Sequence, residues 1–357
     1  FTWEFTEQAD YNNSGGLFEG TDRIGQDSGL INSNSEDSVL VIPPSSVVQV
    51  MYQGPSNGGN CTVDMIQFSS NWNLISFDVE SENNMPEEMF EDQIANNNLI
   101  VITGYDEGAQ YFDPNQPSFL NTLTSINAGY GYWVKLINQD IVSFSGIALN
   151  SDYTISLDPD WNLISYWMQE SQSIEDAFSG LVNENNLVVA TGYDQGAQYF
   201  DPDQPSFLNT LTTLNNGFGY WVKVNEAVDG FQYPEASGGS AKTTPRETNS
   251  AITKTNVFMF ANGSVSFDYT EHTVGEMVNI TTESGLLVGE MEILENGYLM
   301  TGAIYGDDLT TEVIDGALED EALIFTYNEQ ASEPLYVSFT GNMELKRVDL
   351  TFKNLPQ

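Results

Sequence analysis

The sequence predicts a mainly β protein with α+β repeats: an N-terminal β unit, two tandem α+β repeats and a C-terminal antiparallel β-sandwich. Three observations carry this. Residues 104–135 (GYDEGAQYFDPNQPSFLNTLTSINAGYGYWVK) return as residues 192–223 (GYDQGAQYFDPDQPSFLNTLTTLNNGFGYWVK), with six of 32 positions changed. Runs of β-branched and aromatic residues recur between Gly, Asn, Asp and Pro turns along most of the chain. Helical spacing is confined to one short stretch inside each repeat.

Taken in order, residues 1–6 (FTWEFT) alternate aromatic and polar side chains, the period of a strand with one buried face. Such a strand reads as the first of the N-terminal unit, or as an assembly strand in which Phe1, Trp3 and Phe5 pair with a neighbouring subunit's sheet edge. Residues 11–38 read as loops, and residues 39–42, 47–52 and 62–68 as strands. Residues 72–76 (WNLIS) recur as residues 161–165, so the duplication reaches upstream of the long identical block. Within each repeat a strand is followed by a short helix, further strands and a closing GYWVK strand. Ser173 is a hydroxyl N-cap ahead of Glu175 and Asp176, with Ile174, Ala177, Phe178 and Leu181 at helical spacing. In the first copy Pro86 stands near the first helical position. Residues 234–251 (PEASGGSAKTTPRETNSA) are a linker by composition. Beyond it, eight short β runs between residues 257 and 352 suit a sandwich. The expected divisions are 1–70, 71–150, 151–233, a linker at 234–255, and 256–357.

The order WNLIS, short helix, Tyr- and Pro-containing loop, NTL-T and closing GYWVK resembles a repeat of secreted and cell-surface bacterial modular proteins, often from Bacteroidota. The string VGEM…LLVGEMEI…GAIYGDDLTTEVIDGALEDEALIF resembles a small β domain that accompanies those repeats. The resemblance covers residues 72 to about 224 and, separately, the C-terminal domain. It implies a scaffold or binding module in an exported protein and carries no catalytic residue with it.

Nine Lys and Arg stand against 52 Asp and Glu, a formal net charge of −43. That field repels phosphate backbones and anionic headgroups, which argues against nucleic acid and membrane-surface partners. Only Arg23, Lys135 and Lys223 are basic before residue 233. Most carboxylates must therefore be solvated, bonded to amide groups or met by bound cations. Cys61 is the single cysteine, so no intrachain disulfide forms, and it reads as a small buried hydrophobe or a lone thiol. No apolar run approaches the length of a membrane span. Phe1 follows no initiator Met and no basic leader, and reads as a mature N-terminus after signal removal or as a chosen boundary.

His272 is the only histidine, which excludes Ser-His-Asp, Cys-His and multi-histidine metal sites within one chain. The glycine pairs of GYGY and GFGY lead into strands, the wrong context for a phosphate loop. Paired acids for glycoside hydrolysis arise by chance among so many carboxylates, and duplicated pairs (Asp106 with Asp113, Asp194 with Asp201) would imply two identical centres. The chain reads as non-enzymatic, with no required cofactor. Calcium is the one ion its loops suit: Asp113 and Asp201 sit in DPNQP and DPDQP, and Asp307 and Asp308 in GDDLTTE. Plain turn chemistry, with each Asp bonded to its own backbone, is the other reading of those loops. Tyr105, Tyr111 and Phe112, repeated as Tyr193, Tyr199 and Phe200, form either a duplicated sugar platform or core. The expectation is an extracellular or cell-surface structural or adhesive protein that self-associates or binds other surface proteins. A glycan-binding module and a virion fibre or decoration protein are the alternatives.

Overall fold

A computed structural model describes residues 19–21, 47–52, 61–106, 108–235, 251–268, 274–333 and 337–353. Phe1, Trp3 and Phe5 of the expected assembly strand, His272, and residues 236–250 of the linker lie outside these. The side chain of Cys61, at the start of the strand Cys61–Phe68, does too.

WNLIS and GYWVK are apolar at consecutive positions because the sheets they form are buried on both faces. In repeat 1 the antiparallel order is Asn71–Ser76, Gly131–Leu136, Leu99–Tyr105, Ala109–Phe112. In repeat 2 it is Asp160–Ser165, Gly219–Val224, Leu187–Tyr193, Ala197–Phe200. Register is the same in both copies: Leu74 lies opposite Trp133, and Leu163 opposite Trp221. Ile75, Tyr132 and Val134 point into the repeat's own core with Phe77, Phe90 and Phe112. Trp72, Leu74 and Trp133 point out the other way, into a second core.

The helical stretch of each repeat is two short pieces, Pro86–Met89 with Glu91–Ala95, and Ile174–Ala177 with Ser179–Asn183. Phe90 and Phe178 break them at the same point and plug the core beneath. The caps follow the sequence. Ser173 Oγ accepts the Asp176 amide, and Pro86 occupies the first turn.

One sheet runs through the expected boundary at residue 70. Its order is Glu19–Thr21, Val47–Tyr52, Cys61–Phe68, Asp140–Ala148, Val79–Glu80. The strand before residue 70 thus pairs with the strand that closes repeat 1, with Thr62 opposite Gly146 through to Phe68 opposite Asp140. Its counterpart in repeat 2 is the two-stranded pairing of Ile155–Leu157 with Val228–Phe231. The structural repeat therefore opens on the strand ahead of Trp72 or Trp161.

The two repeats pack back to back around a local two-fold axis. Ser76 N–H donates to the Gly217 carbonyl and Ser165 N–H to the Gly129 carbonyl, both at 3.0 Å. Isolated bridges join Ile75 to Phe218 and Tyr130 to Ile164. At the axis Gly131 and Gly219 touch: a Cβ on Gly219 would stand 3.1 Å from Gly131 Cα and 2.8 Å from the Ile75 carbonyl oxygen. Glycine is required there by the close approach of two strands.

In the C-terminal domain seven strands form one sandwich-like, curled sheet over a core of Val278, Ile280, Ile304, Phe325, Val348 and Phe352. Their order is Gln330–Ala331, Leu323–Tyr327, Met277–Thr282, Leu287–Glu292, Tyr298–Tyr305, Phe258–Phe267, Leu345–Phe352. Two details differ from the expected antiparallel set. The runs at 257–260 and 265–269 belong to one strand, Phe258–Phe267, whose register with Tyr298–Tyr305 shifts between Ala261 and Gly263. Gly263, at φ 152°, absorbs that bulge, because a Cβ would lie 1.8 Å from the Val348 oxygen. The last pairing, Phe258–Phe267 with Leu345–Phe352, is parallel. No helix among the described residues is long and apolar enough to cross a membrane.

Candidate functional site

The outward face of each repeat carries the same side chains, and the local axis brings the two faces together. Trp72 and Trp133 meet edge to face at 6.1 Å, and Trp161 and Trp221 at 6.2 Å. Lys135 Nζ lies 5.5 Å from the Trp72 ring centre, and Lys223 Nζ 5.5 Å from that of Trp161. Across the axis Trp133 packs on Tyr193 at 4.9 Å and Tyr105 on Trp221 at 5.1 Å. Residue for residue, one half of the seam is the image of the other.

The C-terminal domain breaks this symmetry by covering one half. Phe258 packs against Trp133 and Tyr193, and Phe260 against Tyr199 at 4.8 Å. The Tyr305 hydroxyl accepts the Ala197 amide at 2.9 Å, and the Tyr193 hydroxyl donates to the Lys254 carbonyl at 3.1 Å. Tyr193, Tyr199 and Tyr305 are buried, and that burial pushes their phenols well up, out of reach of ordinary titration.

A charged node lies at the edge of that contact. Lys135 Nζ is 2.6 Å from Asp308 Oδ2, with both side chains at least 95% buried. Trp72 Nε1–H donates to the same oxygen at 2.7 Å. Lys135 also donates to Thr310 Oγ1 at 2.6 Å, and the Thr310 hydroxyl donates to Asp308 Oδ1 at 2.7 Å. Desolvation alone would push the Asp308 carboxyl up; the Lys135 ammonium, Thr310 and Trp72 outweigh it and hold the group below its usual value. The duplicate lysine is met differently. Lys223 pairs with Asp160 of its own repeat at 3.1 Å, and that carboxylate is 66% exposed.

Beside the node opens a cavity of about 540 Å³ where both repeats meet the chain leading into the C-terminal domain. Gln67, Asn71, Gln139, Gln195 and Lys254 are among its walls. Desolvation lowers the Lys254 ammonium, against the opposing pull of Glu290 and Asp194. Its Nζ donates to the Gln195 carbonyl.

Of the six aromatics singled out as a sugar platform, four fall into cores. Phe112 and Phe200 fill the separate cores of their repeats, and Tyr193 and Tyr199 fill the shared seam. Such rings offer no face to a sugar. Tyr105 and Tyr111 are half-buried. The Tyr111 hydroxyl donates to Asp113 and accepts from Gln116. The acids chosen for calcium are engaged by protein donors. Asp113 accepts the Asn115 amide, Asp201 the Asp203 amide and Asp307 the Asp315 amide. Asp308 is taken by Lys135 and Trp72. Asp113, Asp201 and Asp308, the last through the Thr310 amide, each accept an amide two residues on as turns do. Asp307 reaches one eight residues on, and no three His, Cys, Asp or Glu side chains among the described residues converge as a metal site. The Trp72, Lys135 and Asp308 node went unforeseen; its one sequence signal was that two of the three early cations stand at the same point of each repeat.

No family model matches the chain, and no curated protein is significantly similar to it.

Proposed function

We propose that this protein is a non-catalytic extracellular structural or adhesive component, a subunit or spacer of a surface layer, appendage or virion fibre. One observation carries the reading: the duplicated aromatic faces are used up in welding modules together. Trp72, Trp133, Leu163, Tyr193, Phe258 and Phe260 come from both repeats and the C-terminal domain and share one core. A joint of that kind holds outward surfaces at fixed separation, which suits load or spacing, and the high negative charge suits a saline exterior. Negative-stain imaging of the native material tests it: rods, sheets or regularly spaced surface densities are expected. Dispersed monomers that release new reducing ends from polysaccharides would overturn it.

The cavity favours a second reading, glycan binding, at a place other than the aromatic loops. Side-chain amides of Gln67, Asn71, Gln139 and Gln195 are the donors and acceptors that sugar hydroxyls need. Binding on a glycan array that is lost in Gln195→Ala and kept in Tyr111→Ala would support it.

A further inference from the structure

We propose that Lys135 and Asp308 condense to an isopeptide bond that ties repeat 1 covalently to the C-terminal domain. The two groups are already in contact, with Nζ 2.6 Å from Oδ2 and therefore one bond away from Cγ, and both are at least 95% buried. Burial makes the ion pair costly to keep, whereas an amide carries no charge to desolvate. Burial of the two reacting side chains also limits the access of water, which would drive the reverse hydrolysis. Positioning of this quality replaces a bimolecular encounter by a contact held permanently.

The neighbours supply what an acyl transfer needs. Lys135 donates to Thr310 Oγ1 and Thr310 donates to Asp308 Oδ1, a closed relay from ammonium to carboxylate. Those same bonds favour the ionised carboxylate, so passing one proton along the relay reaches a minor form, a neutral amine beside a carboxylic acid, from which the reaction starts. The Nζ lone pair then adds to Cγ, and the carbonyl electrons move to Oδ2. Trp72 Nε1–H, 2.7 Å from Oδ2, holds the developing charge as an oxyanion-hole donor does. A second proton passes from Nζ to Oδ1, the Cγ–Oδ1 bond breaks with its electrons, and the carbonyl re-forms at Oδ2. One water leaves for each amide formed, and no oxidant or co-reactant is needed. Two further contacts fix the loop: Thr310 N–H donates to Asp308 Oδ1 at 3.0 Å, and Asp308 N–H to Asp315 Oδ1 at 3.0 Å.

The second repeat is an internal control. Lys223 and Asp160 stand 3.1 Å apart, but Asp160 is largely exposed, so that pair stays a solvated salt bridge.

The test is the intact mass of the full-length folded protein, incubated at neutral pH and measured under denaturing conditions, with a proteolytic map. The expected result is a chain lighter than its sequence by one water, with a branched peptide joining the segments that carry Lys135 and Asp308. Lys135→Arg and Asp308→Ala should each restore the full mass and slow migration in a denaturing gel. Thr310→Ala and Trp72→Phe should leave the pair in place and reduce the linked fraction several-fold. An unshifted wild-type mass overturns the proposal. So does a water loss that maps to a succinimide at Asp229–Gly230 or Asp315–Gly316. Should either Lys135 or Asp308 variant fail to fold, the wild-type mass and map still decide.

Discussion

Two lysines with the same neighbours in sequence differ in worth because one is buried and the other is not. Removing the Asp308 carboxylate leaves the Lys135 ammonium inside the protein with the Thr310 hydroxyl, the Trp72 ring and the charge of Asp315 but no direct ion-pair partner. Breaking a buried pair in this way costs about 3–5 kcal/mol, whereas an exposed pair is worth about 0–1 kcal/mol. Where the pair is ionic, Asp308→Ala should therefore lower the unfolding free energy in urea by several times as much as Asp160→Ala. Acid titration reads other single residues. Desolvation raises the carboxyls of Asp201 and Asp315, against hydrogen bonds that lower them, so the fold favours their protonated forms. Their contribution is fully present below the usual carboxylate value and is lost as pH rises through the raised ones. Glu344, held low chiefly by its hydrogen bond from Lys346, has the opposite sign and gives way only in stronger acid. The Tm should rise as pH is lowered from 7 toward the usual carboxylate value and fall below it; a flat or falling profile over the first interval contradicts the assignment.

At the scale of elements, the two copies act as each other's reference. The helix at Ile174–Ala177 has a Ser173 cap, but its twin at Pro86–Met89 begins at Met85, which makes no capping bond and is 46% exposed. Met85→Ser should gain about 0.5–1 kcal/mol and Ser173→Ala lose about 1 kcal/mol, measured by chemical denaturation. The strand contact at the local axis is stricter. Gly219→Ala drives a methyl onto the Ile75 carbonyl and Gly131 Cα, neither of which is a flexible side-chain end, so a loss at the upper end of the usual 1–3 kcal/mol for overpacking is expected. Where causes are local the sequence was legible: the Ser173 cap, Pro86 in the first turn and the entry of each glycine pair into a strand read correctly, whereas the contact of Gly131 with Gly219 depends on the other repeat and was not read. The pairing of Cys61–Phe68 with Asp140–Ala148 was not legible, because nothing near residue 70 says that the matching edge lies more than seventy residues away. The same holds for Tyr193 and Tyr199. Their density fitted a sugar platform as well as a core until a neighbouring domain was seen to cover them.

For the whole molecule the question is whether three modules with separate cores unfold separately. Each repeat and the C-terminal domain has an interior of its own, which by itself would give a multistate transition. The fourth core ties them: Phe258, packed on Trp133 and Tyr193, and Phe260, packed on Tyr199, are at most 1% exposed within it. Leu163, Trp133 and Tyr193 of the repeats are buried in the same core. When one module unfolds it strips apolar cover from its neighbours, so their free energies are coupled and the described part should melt as one calorimetric transition. Phe258→Ala reports on that coupling. Loss of a buried Phe costs about 3–5 kcal/mol, and here the loss falls on the joint between modules as much as on any single interior. The expected trace splits in two, with the C-terminal domain released at lower temperature and the repeats, still clamped by Ser76 and Ser165 across their axis, melting later. A single transition displaced to lower temperature would instead show that the coupling runs through contacts other than Phe258. A wild-type trace already resolved into three would remove the premise that the shared core binds the modules into one unit.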